Sequence, residues 1–444
     1  MLRFPDSFTW GVATASYQIE GAVGEDGRGP SIWDTFSHTP GKVLNGDTGD
    51  VACDHYHRWE DDIALMSNLG IGGYRFSIAW PRIVPAGRGA PNPAGLDFYD
   101  RLVDGLLEAG ITPFPTLYHW DLPQALDDEG GWLSRDTAEA FADYSGVVVG
   151  RLGDRVKTWL TLNEPWVSSH LGYGKGEHAP GHANWSEVWP VTHHLLLAHG
   201  LAVQQIREVA PDADVGIVLN LEPQYPASDH PADIEATRLA DGYWNRWFLD
   251  PLAGRGYPED AVADSGWNQA EVQPGDMAVI AEPCDLLGVN FYSRKIIVGA
   301  DLVGEERPGT PPEPDELTEM GWEVYPEGLS DILMKVKSEY DFETIYITEN
   351  GAAYPDELVD GRVEDDNRIS YLQRHFAQLH RAIQEGVDVR GYFLWSLMDN
   401  FEWAYGYSKR FGLTYVDYPT QQRTVKKSGE WYSTVIAANG LPSA

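Results

Sequence analysis

Two glutamates in short motifs carry the chemistry that this sequence offers first. Glu164 lies in Thr161-Leu162-Asn163-Glu164-Pro165, and Glu349 lies in Ile347-Thr348-Glu349-Asn350-Gly351. Each motif follows an apolar, β-rich run, 156–162 and 344–348. Carboxyl groups at the ends of two strands, far apart in sequence, can divide one task. One protonates a departing oxygen while the other attacks the carbon it leaves, which is the chemistry of glycosidic bond cleavage. Taken alone, either glutamate could instead serve as a strand-end ion pair or a helix cap.

The elements that must position this pair alternate along the chain. Strand-like segments fall at 8–16, 72–79, 112–118, 156–162, 214–220, 286–292, 344–348 and 390–396. Helix-like segments lie between them, at 57–69, 96–109, 136–152, 188–209 and 371–385. The first has Ile63, Leu65, Met66 and Leu69 on one face, and Gly110 and Gly386 stand where the second and the last should stop. Eight strands separated by helices predict an α/β fold: a parallel sheet closed into a single TIM barrel, (β/α)8, with loop insertions at its C-terminal face. Residues 1–444 then form one catalytic domain. In such a barrel the polar residues at the C-terminal strand ends build the site. Arg75, His119, Asn163, Glu164, Asn220, Tyr292, Glu349 and Glu402 all lie at or just beyond a predicted strand. The segment 301–320, with Pro308, Pro311, Pro312 and Pro314 among carboxylates, reads as a surface loop that borders the cleft mouth.

Composition narrows the function. The 444 residues carry a formal net charge of −36, from 68 acidic and 32 basic side chains. That charge repels nucleic acid and anionic membranes. No run approaches the roughly 18 apolar residues of a membrane span, and the first residues lack a long apolar leader segment, so a cytoplasmic location is expected. Cys53 and Cys284 are expected to be reduced and structural. The 17 Trp and 22 Tyr are more telling. Sugar rings stack their C–H faces on indole while their hydroxyls seek carboxylates and amides. Trp59 and Trp244 read as core residues; Trp395 and Trp403 are flanked by too much polarity for that.

Seven segments in order resemble glycoside hydrolase family 1, the β-glucosidase family, over essentially the whole chain. They are Phe8-Thr9-Trp10-Gly11, Ala15-Ser16-Tyr17-Gln18-Ile19-Glu20-Gly21, Tyr74-Arg75-Phe76-Ser77, Leu117-Tyr118-His119-Trp120-Asp121-Leu122-Pro123, the two glutamate motifs, and Asn400-Phe401-Glu402-Trp403. The resemblance implies a (β/α)8 barrel with Glu164 as general acid/base on strand four and Glu349 as nucleophile on strand seven. It implies a retaining mechanism through a covalent glycosyl-enzyme, with Arg75 and Tyr292 keeping Glu349 ionised. Retention calls for carboxyl groups about 5–5.5 Å apart, against about 6.5–9.5 Å for inversion. The same matches imply a polar clamp on the non-reducing sugar from Gln18, His119, Trp120, Asn163, Glu402 and Trp403. Trp395 is implied as the stacking platform and Phe411 as a neighbour of the 6-hydroxymethyl group. Trp166, Asn220 and Trp322 are implied on the leaving-group side. Taken alone, His119 could be a core histidine and Gln18 a turn cap.

The resemblance implies no cofactor and no metal, with a β-glucoside as the small-molecule partner. Members that cleave 6-phosphorylated sugars replace the glutamate at the position of Glu402 and use a Ser/Lys/Tyr cradle; here Ser408 and Lys409 are present but Phe411 has no hydroxyl. A free sugar is therefore expected, with glucose, fucose and galactose left open, and a monomer and a homo-oligomer equally compatible. Two rivals stand beside this reading. A metal-dependent hydrolase could use His55 and His57, or His193 and His194, but both pairs adjoin helix-like runs. A non-catalytic carbohydrate-binding barrel would not need both glutamates.

Overall fold

The computed structural model describes residues 2–299 and 314–441. Most of the predicted 301–320 loop lies outside the described residues. Eight parallel strands close a barrel: β1 (Thr9–Ala13), β2 (Gly73–Ser77), β3 (Thr112–Tyr118), β4 (Thr158–Asn163), β5 (Asp214–Asn220), β6 (Leu286–Asn290), β7 (Ile345–Asn350) and β8 (Val389–Trp395). β8 pairs with β1, and β6 with β7, so no edge is left open.

The strands are nearly buried throughout, as parallel strands covered by helices must be. Phe393 fills the interior against Phe114, with ring centroids 4.7 Å apart. Its ring crosses to β1, where a Cβ on Gly11 would stand 2.5 Å from it. Glycine there makes room for the aromatic plug.

The long helices cover the outside: α1 (His55–Leu69), α2 (Pro93–Glu108), α3 (Arg135–Leu152), α4 (Val188–Val209), α5 (Glu327–Glu339), α6 (Asp366–Gln384) and α7 (Lys427–Ala438). Gly70, Gly110 and Gly386 follow the ends of α1, α2 and α6 with positive φ, which suits glycine. The connection from β5 to β6 is built from short helices instead, Pro231–Asp241, Trp247–Leu252, Glu259–Ser265 and Asp276–Ile280. Among the described residues, no helix is long and apolar enough to cross a membrane.

Several boundaries differ from expectation. The first strand stops at Ala13, and a short helix, Ser16–Ile19, replaces its predicted end. The cause is a polar anchor: Ser16 N donates to Ser77 Oγ at 2.7 Å, and Ser16 Oγ donates to Asp121 at 2.8 Å. The helix starting at His55 takes in both members of the suspected histidine pair. His55 Nδ1 lies 2.7 Å from Asp62, and His57 Nδ1 lies 2.6 Å from Asp54. His193 lies within α4 and contacts Tyr257 and Asp276. Both cysteines are free thiols.

Candidate active site

A cavity of about 310 Å³ opens at the C-terminal ends of the strands. Glu349 is the next-to-last residue of β7 and Glu164 is the first residue past β4. Both line the cavity and both are buried. Glu164 takes a left-handed φ of 47°, and its amide donates to Val218 O of β5 at 2.9 Å. Trp120 (φ 75°) and Trp403 (φ 49°), also in the wall, share that unfavourable backbone region. Non-glycine residues held there cost free energy that the surrounding packing must supply, and they concentrate at functional sites.

The two carboxylates have opposite surroundings. Arg75 Nη1 donates to Glu349 Oε1 at 2.6 Å, and Tyr292 O–H donates to Glu349 Oε2 at 2.6 Å. Among the described residues, the side-chain donor to Glu164 is an amide, Asn290 Nδ2 at 2.6 Å from its Oε1. Asn163 Oδ1 accepts from both Arg75 Nη2 (2.6 Å) and Asn290 Nδ2 (3.1 Å), so its own Nδ2 must donate to His119 Nε2 at 3.0 Å. Thr348 Oγ1 donates to Asn290 Oδ1 at 2.7 Å and Thr116 Oγ1 accepts from Arg75 Nε at 3.1 Å. One polar lattice thus spans β2, β3, β4, β6 and β7.

Electrostatics follow from these partners. Burial, then the charge of Glu349, pushes Glu164 up to about 8. Burial also lifts Glu349, while the Arg75 guanidinium and the Tyr292 hydroxyl pull it back. The two groups titrate as a pair, and the proton favours Glu164, which among the described residues forms no ion pair, while Arg75 pairs with Glu349. Burial and the charge of Glu349 raise Glu402 to about 8 as well. Burial holds His119 neutral, well below its ordinary value.

The cavity wall includes His119, Trp120, Asn220, Tyr292, Trp322, Trp395, Glu402, Trp403 and Phe411, together with Trp166. Arg75, Gln18 and Asn163 stand behind it, fully buried. Gln18 Nε2 donates to Phe401 O (2.8 Å) and Asn400 Oδ1 (3.0 Å), tying the Ser16–Ile19 helix to the loop after β8. Three buried polar atoms at this wall lack a partner among the described residues: Gln18 Oε1, His119 Nδ1 and Glu402 Oε2. Buried polar atoms left open beside a cavity suit a polar ligand. His119 is therefore no ordinary core histidine.

Trp244 corrects the sequence reading. It lines the cavity, lies 3.8 Å from Trp166 between ring centroids, and donates through Nε1 to Asn220 O at 2.9 Å. Sequence reasoning misses Asn290, although it ends the sixth strand two residues before Tyr292. Its position at a strand end is the available signal. Met320, at the described end of the 301–320 segment, reaches the cavity wall. Among the described residues, no group of three or more His, Cys, Asp or Glu side chains could hold a metal ion.

A buried acid raised to about 8 faces a carboxyl braced by a guanidinium and a phenol, beneath a wall of indoles and open polar atoms. That arrangement can protonate and attack opposite sides of an acetal. Comparison with known proteins agrees. Residues 1–441 match the model of Glycosyl hydrolase family 1. Beta-glucosidase A of Thermotoga maritima is 52% identical, with 99% of each chain covered. A bifunctional beta-D-glucosidase/beta-D-fucosidase of Bifidobacterium breve is 49% identical, with 98% of each covered. The structure of a Thermotoga maritima beta-glucosidase in complex with castanospermine superposes with a TM-score of 0.95 at 52% identity, covering all of both chains. The chain belongs to glycosyl hydrolase family 1.

Proposed function

We propose that this enzyme is a retaining β-glucosidase that removes terminal non-reducing β-D-glucosyl residues from cello-oligosaccharides and from aryl and alkyl β-glucosides. The observation that carries it is the asymmetry of the two carboxyls, Glu349 against Arg75 and Tyr292, Glu164 against an amide alone.

Glu349 attacks the anomeric carbon and forms a glycosyl ester as Glu164 gives its proton to the leaving oxygen. Esterification removes the charge of Glu349, one of the causes that hold Glu164 up. Glu164 then falls in pKa and takes a proton from the water that breaks the ester, releasing the sugar with its β configuration. Gln18, His119 and Glu402 offer their open atoms to sugar hydroxyls, with Asn163 beside the acid/base for the 2-hydroxyl. Trp395 and Trp403 supply ring faces, and Phe411 borders the hydroxymethyl side. Trp166, Asn220, Trp244 and Trp322 face the leaving group.

A 6-phosphorylated sugar fits less well. Phe411 has no hydroxyl to offer a phosphate, and Lys409 Nζ is engaged at Glu319 O at 2.9 Å. Activity on β-fucosides and β-galactosides is expected beside β-glucosides; the Bifidobacterium breve relative is named for both glucoside and fucoside hydrolysis. The chain works as one catalytic unit, since one buried cluster runs from Phe4 to Leu441. Its net charge of −36 disfavours nucleic acid as a partner. Two free thiols suit a reducing, cytoplasmic location, which fractionation of the producing cell checks.

The test is initial-rate hydrolysis of p-nitrophenyl β-D-glucopyranoside in excess EDTA, with NMR of the first sugar released. Metal-independent release of β-glucose is expected. Release of the α-anomer first, or chelator-sensitive turnover, overturns the reading.

A further inference from the structure

Behind the sugar-side wall lies a network of six charges with no net sum: Asp356, Asp365 and Asp399 with Arg368, Arg410 and Lys426. Lys426 and Asp399 are fully buried at its centre. Lys426 Nζ donates to Asp399 Oδ1 at 2.6 Å and to Asp356 Oδ2 at 2.5 Å. Asp356 lies six residues past the end of β7, in the loop that follows Glu349 and Asn350, and it also pairs with Arg368 at 2.8 Å. Asp399 lies in the loop that follows β8. Lys426, just ahead of α7, thus clasps the loops after the two strands together.

Asp399 reaches the sugar-side wall along the chain and through its carboxylate. Asn400, Phe401 and Glu402 follow it, and the first two hold Gln18. Its Oδ2 accepts from Arg410 Nη1 at 2.6 Å, and its Oδ1 accepts from Gly412 N at 3.0 Å. These residues flank Phe411, so one aspartate fixes both sides of that ring. Glu402 Oε2 is unpartnered among the described residues, and the side-chain hydrogen bond to the carboxyl comes from Gln18, which Asn400 and Phe401 hold. The aim of Glu402 depends on the backbone that Asp399 holds.

We propose that Lys426 is a positioning residue for sugar recognition: by pairing with Asp399 it sets the loop that carries Glu402 and Phe411. This rests on the proposed reading of Glu402 as a contact to sugar hydroxyls and of Phe411 as the neighbour of the hydroxymethyl group. Removing the Lys426 charge leaves Asp399 buried with Arg410 alone, and the loop relaxes toward that remaining cation. The loss then falls on substrates that use the hydroxymethyl group.

The experiment compares p-nitrophenyl β-D-glucopyranoside with the β-D-xylopyranoside, which lacks that group, in wild type, Lys426→Met, Glu402→Gln and the double variant. In Lys426→Met the glucoside-to-xyloside ratio of kcat/KM falls about fivefold, near the worth of one ordinary hydrogen bond, mainly through KM. Lys426→Met adds nothing to that ratio once Glu402→Gln is present. A merely structural role lowers both substrates alike. An unchanged ratio in folded Lys426→Met, while Glu402→Gln shifts it, overturns the proposal. An unchanged ratio in Glu402→Gln overturns the Glu402 reading, and the proposal with it. Should Lys426→Met not fold, Asp399→Asn, which keeps the shape but removes the charge and one of the two accepting oxygens, takes its place: a fallen ratio supports the proposal and an unchanged one overturns it.

Discussion

At the scale of single residues, the proposed catalytic pair differs by its neighbours. Both side chains are glutamates; Arg75 and Tyr292 touch one and Asn290 touches the other. Glu349→Ala should cost roughly 10⁴-fold or more in turnover, with azide restoring part of it as the α-glycosyl azide. Formation of the β-azide would assign Glu349 another role. In the proposed mechanism the active form has Glu349 ionised and Glu164 protonated, so kcat/KM should trace a bell. Its high limb falls as pH rises through about 8, and Glu164→Ala should remove that limb for activated aryl glucosides. Its low limb falls as Glu349 gains a proton, at a pH above the ordinary carboxyl value because the group is buried. Glu402 connects function to stability. Its carboxyl is raised to about 8 in the fold, against about 4.3 unfolded. A raised carboxyl disfavours the folded state increasingly as pH climbs between those values. Glu402→Gln should therefore be more stable than wild type at pH 9, on the order of 3 kcal/mol, and indistinguishable near pH 4. Thermal melts at the two pH values check this; an equal difference at both would show that ionisation is not the cause.

At the scale of elements, strand ends decide where each group points. Gly351 follows β7 directly, and a Cβ there would sit 1.8 Å from the Trp395 carbonyl oxygen at the end of β8. The two strand ends that carry Glu349 and Trp395 approach too closely for any side chain between them. Gly351→Ala must push them apart, which should cost about 3 kcal/mol and most of the activity. An active variant with wild-type melting temperature would refute the close approach. Element existence is legible from alternating apolar runs, and β3, β5 and α4 fall where the pattern puts them. The end of β1 is not, because Ser16 turns away through contacts with Ser77 and Asp121, distant in sequence. The short helices between β5 and β6, along with α5 and α7, are not legible in the pattern either.

At the scale of the whole molecule, acidic groups outnumber basic ones 68 to 32. Self-repulsion of that surplus opposes compaction, and salt screens it over about 10 Å at 0.1 M. The melting temperature should rise by several degrees between roughly 0.01 M and 0.5 M NaCl, even though surface ion pairs weaken over the same range. A fall would show that the ion pairs dominate. The sequence by itself determined the barrel, the two glutamates and most of the aromatic and polar wall. Strand periodicity and strand-end polarity are local properties, and seven motifs in order left little freedom. Only the tertiary structure decided that Asn290 joins Glu164 to Asn163, that Trp244 faces the cavity, and that Lys426 ties two loops behind Glu402. Protonation state and side-chain aim depend on groups brought together from strands hundreds of residues apart, and burial sets how strongly they act; neither is written in any short stretch of chain.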